Sequence, residues 1–209
     1  MTRSGIHDYA LPPAYSGMRI GLYGGSFNPA HAGHRHVAVT ALRRLQLDRI
    51  WCLVTPGNPL KDITELPSLE TRLKRTADVM DHPRIDVTGV ETTANTRFTA
   101  ESLDWIAAKT MGVHLVWIMG ADNLKQFHKW QRWEDILQKV PVAIIDRPGY
   151  SLAPLSAIAA RSYNWARLPS HEEGKLATAP CPAWSFLYGP RSELSSTALR
   201  QSAKANHPI

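Results

Sequence analysis

Two histidines three residues apart, His31 and His34, follow a glycine pair and could carry phosphoryl chemistry. They lie in the segment Gly-Gly-Ser-Phe-Asn-Pro-Ala-His-Ala-Gly-His, which spans residues 24–34. A strand that ends in a glycine turn and leads into a helix brings backbone N–H groups and the positive end of the helix dipole to one point. Imidazole N–H groups beside that point would donate hydrogen bonds as charge builds on a phosphoryl group. The sequence therefore predicts an anion site at this turn.

A metal site is a competing interpretation of these histidines, because His36 follows them closely. No cysteine or carboxylate at a suitable spacing completes a ligand set, so we predict no metal bound by protein side chains. We expect His36 to be a solvated helix residue. In a third interpretation, His31 and His34 are an ordinary helix cap and a surface residue. We disfavour it because the two histidines flank a glycine, shortly after the Gly-Gly pair that ends the strand.

The segments that must position this turn alternate between strand and helix patterns. Such alternation predicts a Rossmann-like doubly wound parallel α/β sheet in a single domain. Ligands bind such sheets at the carboxyl ends of the strands, so the loops that follow the strands should carry the chemistry. The predicted strands are Ile20–Tyr23, Arg49–Thr55, Arg84–Val87, His114–Met119, Val140–Asp146 and Trp184–Leu187. The predicted helices are roughly Gly33–Leu47, Ser68–Met80, Thr99–Lys109, Asp122–Phe127 continuing to Gln138, Pro154–Ala160 and Ser196–Ala203.

Composition limits the class of protein. The 209 residues are 44% hydrophobic and 20% charged, as in a globular chain, and no apolar run suggests a membrane partner. The net charge of +6 suits an anionic partner, but no Lys/Arg stripe interleaved with aromatic residues predicts nucleic-acid binding. Cys52 and Cys181 are too few for a disulfide framework, which indicates free thiols in a reducing cytoplasm. Residues 1–17 lack a signal-peptide pattern and are expected to be a disordered leader before a domain at 18–209.

A second segment, Leu-Ser-Ser-Thr-Ala-Leu-Arg at residues 194–200, has the pattern of a helix start. Ser195 or Ser196 would cap the helix, and Thr197 adds a hydroxyl group. Arg200 lies about one turn further on, where its planar guanidinium could reach a polyphosphate. Alone, this pattern is a common helix cap. Paired with the first segment, it favours a second phosphate contact.

The two segments together resemble the paired motifs of the nucleotidylyltransferase superfamily. Residues 24–34 are similar to its (H/T)xGH motif, G-G-[ST]-F-[DN]-P-x-H-x-G-H, and residues 194–200 to its I-S-S-T-x-[IL]-R motif. Class I aminoacyl-tRNA synthetases carry a related His-x-Gly-His, but the lysine-rich second motif that they need is absent. The resemblance covers about residues 18–203. It implies nucleotidyl transfer from ATP, with Mg²⁺ carried on the ATP phosphates.

Three further segments narrow the resemblance to the nicotinate mononucleotide adenylyltransferases. They are Thr-Pro-Gly-Asn-Pro-Leu-Lys at 55–61, Met-Gly-Ala-Asp-Asn-Leu at 119–124 with the aromatic residues after it, and Arg-Pro-Gly-Tyr at 147–150. The resemblance implies transfer of AMP from ATP to nicotinate mononucleotide, giving deamido-NAD and pyrophosphate by direct in-line attack. Two alternatives stay open: another adenylyl- or cytidylyltransferase, such as phosphopantetheine adenylyltransferase, and a nucleotide-binding regulator without turnover.

The resemblance also implies a role for each matching residue. His31 and His34 would be catalytic and would stabilise charge on the α- and β-phosphates. The other ATP-binding residues would be Gly24, Gly25, Ser26, Phe27, Gly120, Asp122, Arg147, Ser195, Ser196, Thr197 and Arg200. The mononucleotide pocket would be formed by Asn58, Lys61, Phe98, Thr99 and Trp130, with the indole stacked on the pyridine ring. Phe127, Trp130 and Trp133 share a helical spacing, so all three could instead be core residues, an interpretation that suits Phe127 and Trp133 better than Trp130.

Two positions depart from the family pattern. Phe98 and Gln131 stand where many relatives have a tyrosine and an aromatic residue. These changes keep a stacking surface and alter the polar contacts to the carboxylate of the base. The preference between nicotinate and nicotinamide mononucleotide therefore stays open, and the sequence does not indicate an oligomeric state.

Overall fold

The computed structural model describes residues 5–57, 66–146 and 156–188. The described residues form one seven-stranded sheet with the order β1-β4-β3-β2-β5-β6-β7, and every neighbouring pair is parallel. The strands are β1 (Gly5–Ile6), β2 (Arg19–Gly25), β3 (Arg49–Val54), β4 (Ile85–Thr88), β5 (His114–Gly120), β6 (Val142–Ile145) and β7 (Trp184–Leu187). From the central β2 the chain winds outward through β3 and β4, then returns to β5 on the other side. The switch point therefore lies between β2 and β5, and the predicted Rossmann-like doubly wound fold is confirmed.

Helices cover both faces of this sheet. α1 (Ala32–Arg44) and α2 (Leu69–Met80) contribute to the core on one face, and α4 (Thr99–Lys109) and α6 (Trp133–Lys139) to the core on the other. Because both faces are covered, the central strands are buried along nearly their whole length, as in β3, whose last five residues are buried. The shorter elements are α3 (Val90–Ala94), α5 (Ala121–Leu124), α7 (Ile158–Ser162) and the 3₁₀ segments Phe127–Lys129, Asn164–Ala166 and Ser170–Thr178.

The helix predicted from Asp122 to Gln138 is wrong, because the chain turns twice in this stretch. α5 ends at Leu124, a 3₁₀ turn follows, and Trp130 is extended, with φ −73° and ψ 143°. Arg132 then adopts the left-handed region, with φ 52°, before α6 begins. The Arg132 guanidinium donates to Asp135 Oδ2 at 2.6 Å and to Asp104 Oδ2 at 3.0 Å, which holds the turn in place.

The expectation of a disordered leader does not hold for residues 5–17. β1 pairs with β4, with Gly5 opposite Asp86 and Ile6 opposite Val87. His7 Nε2 lies 3.0 Å from Asp86 Oδ1, so a side-chain contact adds to the backbone pairing. A strand this short has almost no sequence pattern of its own. Its partner β4 supplies the contacts that order it.

Other predictions fall partly or wholly outside the described residues. The predicted helix Ser196–Ala203 lies outside them, and Pro154–Ala160 overlaps α7 only in part. In the described part of the chain, no helix has the length and apolar character that a membrane crossing would need. Cys52 is buried, Cys181 is half-buried, and both are free thiols. Burial raises the pKa of the Cys52 thiol, which keeps it protonated and unreactive.

Candidate active site

The two histidines meet at the first turn of α1, where their imidazoles cap the helix. His31 directly precedes the helix in an extended conformation, and its Nδ1 accepts the backbone N–H of Gly33 at 3.0 Å. His34 Nδ1 accepts the backbone N–H of His31 at 3.2 Å. The ring centroids are 3.9 Å apart. This is a reciprocal capping box in which two imidazoles replace the usual Ser and Glu side chains.

The hydrogen-bond network assigns the tautomer of both rings. A ring nitrogen that accepts an N–H bond carries no proton, so each neutral imidazole holds its hydrogen on Nε2. On both rings the remaining donor is therefore Nε2–H, and the backbone that follows β2 orients it; the Nε2 atom of His31 is buried. The capping interpretation and the phosphate-binding interpretation are thus compatible. The hydrogen bonds that each Nδ1 atom accepts at the helix cap also fix the orientation of the Nε2–H donors.

Aromatic residues hold the His34 ring from the side of the preceding loop. Phe27 is 2% exposed and adopts a left-handed conformation with φ 45°. Its ring lies 5.1 Å from the His34 ring and edge-on to Tyr23 at 5.5 Å. The ring therefore packs against the histidine, and the contact of Phe27 with ATP stays a prediction.

Gly24 and Gly25, at the end of β2, differ in whether the surrounding packing requires a glycine. A Cβ on Gly24 would lie 2.5 Å from Cη2 of Trp117, so the indole occupies the space above the strand. A Cβ on Gly25 would meet the Phe27 ring at 3.4 Å or more, which is an ordinary contact, and Gly25 has no positive φ. Among the described residues nothing in the fold therefore requires glycine at position 25. Close approach of a ligand to the backbone would be a physical reason for glycine at this position.

Trp117 links this turn to the predicted pyridine pocket. It lies on β5 with 2% of its surface exposed, and the Trp130 ring packs edge-on against it at 6.4 Å and 80°. Phe127 supports Trp130 from another side at 5.3 Å and is itself fully buried. Phe127 is therefore a core residue, as expected. Trp130 is half-buried, which leaves part of its ring accessible.

Gly120 ends β5 beside the end of β2. Tyr23 is the register partner of Ile118, and each strand continues two residues further, to Gly25 and Gly120. Asp122 follows in the first turn of α5 and is half-buried. The predicted ATP-binding residues Gly25 and Gly120, at the ends of β2 and β5, are therefore adjacent at the switch point.

Phe98 and Thr99 form the start of α4, and both are half-buried. Glu101 Oε2 accepts the backbone N–H of Phe98 at 3.3 Å and that of Arg97 at 3.1 Å. A carboxylate in the first turn satisfies helix N–H groups and interacts favourably with the dipole. The turn that carries these two pocket residues is therefore fixed locally.

A buried carboxyl group connects α4 to the strand ends. Glu91, on α3, accepts a hydrogen bond from Ser102 Oγ at 2.7 Å and another from the Thr55 side chain. Ser102 Oγ lies 3.4 Å from the carbonyl oxygen of Phe98. Burial raises the pKa of Glu91, although both hydrogen bonds act in the opposite direction. The network runs from the predicted pocket to the loop that follows β3.

Sequence reasoning missed Arg72, Glu91 and Trp117 as contributors to the site. Arg72 had a signal, because a charged residue three positions after Leu69 falls on the helix face that also carries Leu73 and Met80. Trp117 had none, since an aromatic residue in a buried strand is ordinary. Some predicted residues lie outside the described part of the chain: Asn58, Lys61, Arg147, Ser195, Ser196, Thr197 and Arg200.

Solved structures with a similar fold include two of one enzyme. The Plasmodium falciparum nicotinic acid mononucleotide adenylyltransferase complexed with APC matches with a TM-score of 0.64 and 15% identity, covering 88% of this chain and 83% of that one. The same enzyme complexed with NaAD gives a TM-score of 0.65 and 16% identity, with coverages of 87% and 82%. At this identity the match establishes the fold alone.

Sequence relatives are much closer. A protein of Methylorubrum extorquens, described as a probable nicotinate-nucleotide adenylyltransferase, is 58% identical over 88% of this chain and 99% of its own length. A protein of Mesorhizobium japonicum with the same description is 49% identical over 93% of this chain and 100% of its own length. The cytidylyltransferase-like family model matches residues 22–202. The chain therefore belongs to the cytidylyltransferase-like family, among relatives named as nicotinate-nucleotide adenylyltransferases.

Proposed function

We propose that this chain transfers AMP from ATP to nicotinate mononucleotide, giving deamido-NAD and pyrophosphate, a reaction of NAD biosynthesis. The names of relatives that are 49–58% identical over most of the chain support the acceptor. The observation that carries the reaction class is the pair of imidazoles at the switch point, each with its hydrogen assigned to Nε2 by a backbone contact. Such donors suit phosphate oxygens.

The reaction needs no covalent enzyme intermediate, because the substrate phosphate is already a nucleophile. An oxygen of the mononucleotide 5′-phosphate attacks the α-phosphorus of ATP and forms the new phosphorus–oxygen bond. The bond from the α-phosphorus to the oxygen that bridges to the β-phosphate breaks, and pyrophosphate leaves with that electron pair. The protein contributes orientation and charge stabilisation, as in other phosphoryl-type transfers.

His31 and His34 are the proposed catalytic residues, donating Nε2–H to oxygens of the α- and β-phosphates. Gly25 allows the phosphates to approach the backbone, and Asp122 accepts from the ATP ribose hydroxyl groups. The proposed contacts to the rest of ATP come from Gly24, Ser26, Phe27, Gly120, Arg147, Ser195, Ser196, Thr197 and Arg200. The Phe27 ring also packs against the His34 ring, so Phe27 supports that histidine in addition to its proposed contact.

Trp130 is the proposed stacking partner of the pyridine ring. Its partly accessible ring, held edge-on by Trp117 and Phe127, supports this assignment. The rest of the proposed mononucleotide pocket is formed by Asn58, Lys61, Phe98 and Thr99.

Mg²⁺ is proposed to enter with ATP, held through phosphate oxygens. Within the described ranges, no three His, Cys, Asp or Glu side chains are grouped where they could hold a metal ion. Mg²⁺ commonly keeps waters and substrate phosphates as ligands, so this arrangement suits its chemistry. A cytoplasmic location is also proposed, supported by the two free thiols.

An acceptor panel tests the function. Purified protein is incubated with ATP, Mg²⁺ and either nicotinate mononucleotide, nicotinamide mononucleotide or phosphopantetheine, and pyrophosphate and the dinucleotide product are measured. We expect pyrophosphate and deamido-NAD in equal amounts with nicotinate mononucleotide. Faster turnover of phosphopantetheine would contradict the proposed acceptor, and ATP binding without pyrophosphate release from any acceptor would indicate a regulator.

A further inference from the structure

Arg72 is a buried cation beneath the carboxyl edge of the sheet. Its side chain, on α2, is only 2% exposed. Within the described ranges, no carboxylate forms an ion pair with it. Burying a guanidinium is costly unless hydrogen bonds satisfy its donors. The donors of Arg72 must therefore have found other acceptors.

Four backbone carbonyl groups supply those acceptors. Nη1 donates to the carbonyl oxygens of Ser26 at 3.0 Å and Thr55 at 2.7 Å. Nη2 donates to Pro56 at 3.0 Å, and Nε donates to Pro67 at 3.0 Å. A guanidinium holds its five N–H groups in one rigid plane. The four carbonyl groups are consequently fixed relative to one another.

The segments held in this way are those on which the proposed reaction depends. Ser26 follows Gly25 in the turn that leads to the histidines, and Thr55 and Pro56 shortly precede Asn58 in the sequence. The backbone N–H of Thr55 also donates to the Gly25 carbonyl at 3.0 Å. The turn at residues 24–34, which is proposed to bind the phosphates, is called the phosphate turn. Thr55 donates its N–H to this turn, and its carbonyl oxygen accepts from Arg72. One cation therefore joins the turn proposed for ATP to residues 55–56, which shortly precede the proposed mononucleotide residue Asn58 in the sequence.

We propose that Arg72 is a positioning residue that sets the phosphate turn and the loop after β3 at the separation needed for in-line attack. This inference rests on the proposed function of those two segments. In this role Arg72 contacts neither substrate. Its effect is on alignment, to which transfer reactions are very sensitive, since a misplacement of about 1 Å can cost on the order of 10²-fold in rate.

Arg72→Lys is the primary variant, because lysine keeps the charge and loses the planar fork. Arg75→Lys is the matched control, one helical turn further along α2 on its exposed face. We expect Arg72→Lys to fold and to lose roughly 10- to 100-fold in kcat/KM, with a lower kcat and raised KM for both substrates. Arg75→Lys should retain the wild-type constants. A role in stability alone would lower Tm and leave kcat and both KM values unchanged in the folded protein, and that result would overturn the proposal.

Arg72→Gln covers the case in which the lysine variant fails to fold, since its amide can still donate to one or two of the carbonyl groups. We expect its activity to fall below that of the wild type by more than its folded fraction explains. Failure of both variants to fold at any temperature would make Arg72 a stability residue and overturn the proposal.

Different results would refute the proposed function and the positioning role of Arg72. The wild-type protein is assayed first with ATP and nicotinate mononucleotide, and its inactivity would refute the proposed function. Equilibrium binding of ATP to wild type and Arg72→Lys, measured by calorimetry, then tests positioning without turnover. Weaker binding by the variant supports the positioning role whichever acceptor the wild type uses, and equal binding together with equal kcat/KM contradicts it.

Discussion

The two halves of the candidate site are built by different means. The histidine turn is organised by contacts between residues close in sequence, since both imidazoles bond to N–H groups within the segment 31–34. The aromatic half depends on residues far apart, because Trp117 on β5 supports Trp130 and lies over Gly24 of β2. A sequence motif can specify the first kind of site almost completely. The second kind exists only after the sheet has formed.

The largest expected effect lies in the histidine turn. His34→Ala removes one proposed donor and should lower kcat by roughly 10²–10³-fold, as loss of a charge-stabilising donor does elsewhere. Steady-state kinetics with ATP and nicotinate mononucleotide measures it. His36→Ala is the control on the same helix and should stay close to wild type. Full activity of His34→Ala would remove this residue from the mechanism.

The two glycines separate packing from ligand approach. Gly24→Ala places a Cβ against the Trp117 ring and should lower the free energy of unfolding by about 1–3 kcal/mol, as overpacking typically does. Gly25→Ala meets no such obstacle among the described residues and should unfold like wild type while losing most of its activity. Denaturant titration and kinetics on both variants distinguish the two effects.

A compensating change sharpens this result. Adding Trp117→Phe to Gly24→Ala removes the Cη2 atom that the new methyl group would meet, so part of the lost stability should return. The same second change should not restore activity to Gly25→Ala. If Gly24→Ala and Gly25→Ala showed the same losses of stability and activity, the two positions would not differ in role.

The aromatic half should show a smaller effect, confined to one substrate. Trp130→Ala should raise KM for nicotinate mononucleotide up to about tenfold, in line with the 0.5–1.5 kcal/mol of an aromatic contact. KM for ATP should change little, and Trp130→Phe should retain most of the affinity. Trp165→Ala, at a position 72% exposed, is the control. An equal rise in both KM values would place Trp130 in a general structural role.

The smallest effect is the pH dependence of stability at Glu91. Burial raises the pKa of Glu91 above the ordinary value of 4.5, so the folded state favours the protonated carboxyl group. That contribution is complete below the unfolded-state pKa and is lost as pH rises through the folded-state pKa. Glu91→Gln cannot ionise, and its amide oxygen can still accept from Ser102. Its stability relative to wild type should therefore increase as pH rises above 4.5.

Denaturant unfolding of wild type and Glu91→Gln, from about pH 4 to pH 8, measures this difference. Glu134→Gln, at an exposed position on α6, provides the control. A stability difference between Glu91→Gln and wild type that stays constant over this range would mean that Glu91 ionises alike in the folded and unfolded protein.

The fold was largely predictable, because the strands are apolar runs bounded by glycine, proline or charge. Trp184–Leu187 coincides with β7, and α1 begins one residue before its predicted start. The secondary-structure predictions failed where pairing with a distant strand, or the dihedral angle of a single residue, decides the local structure. Gly5–Ile6 is a strand only because β4 lies beside it, and the left-handed conformation of Arg132 ends what reads as a continuous helix.

The site divides in the same way. The placement of His31 and His34 side by side at one turn was predictable, since both belong to one short segment of the chain. Trp117 was not, because its contact with Gly24 joins residues that are distant in sequence. Arg72 had a partial signal in the interrupted apolar face of α2, but the carbonyl groups that it binds belong to three separate segments.

Both halves are expected to form one site for two substrates. A crystal structure with nicotinate mononucleotide and a non-hydrolysable ATP analogue would show whether they do. Phosphate oxygens should lie within hydrogen-bonding distance of Nε2 of His31 and His34, and the pyridine ring should stack on Trp130. Phosphates bound away from both histidines, or a pyridine ring bound away from Trp130, would contradict it.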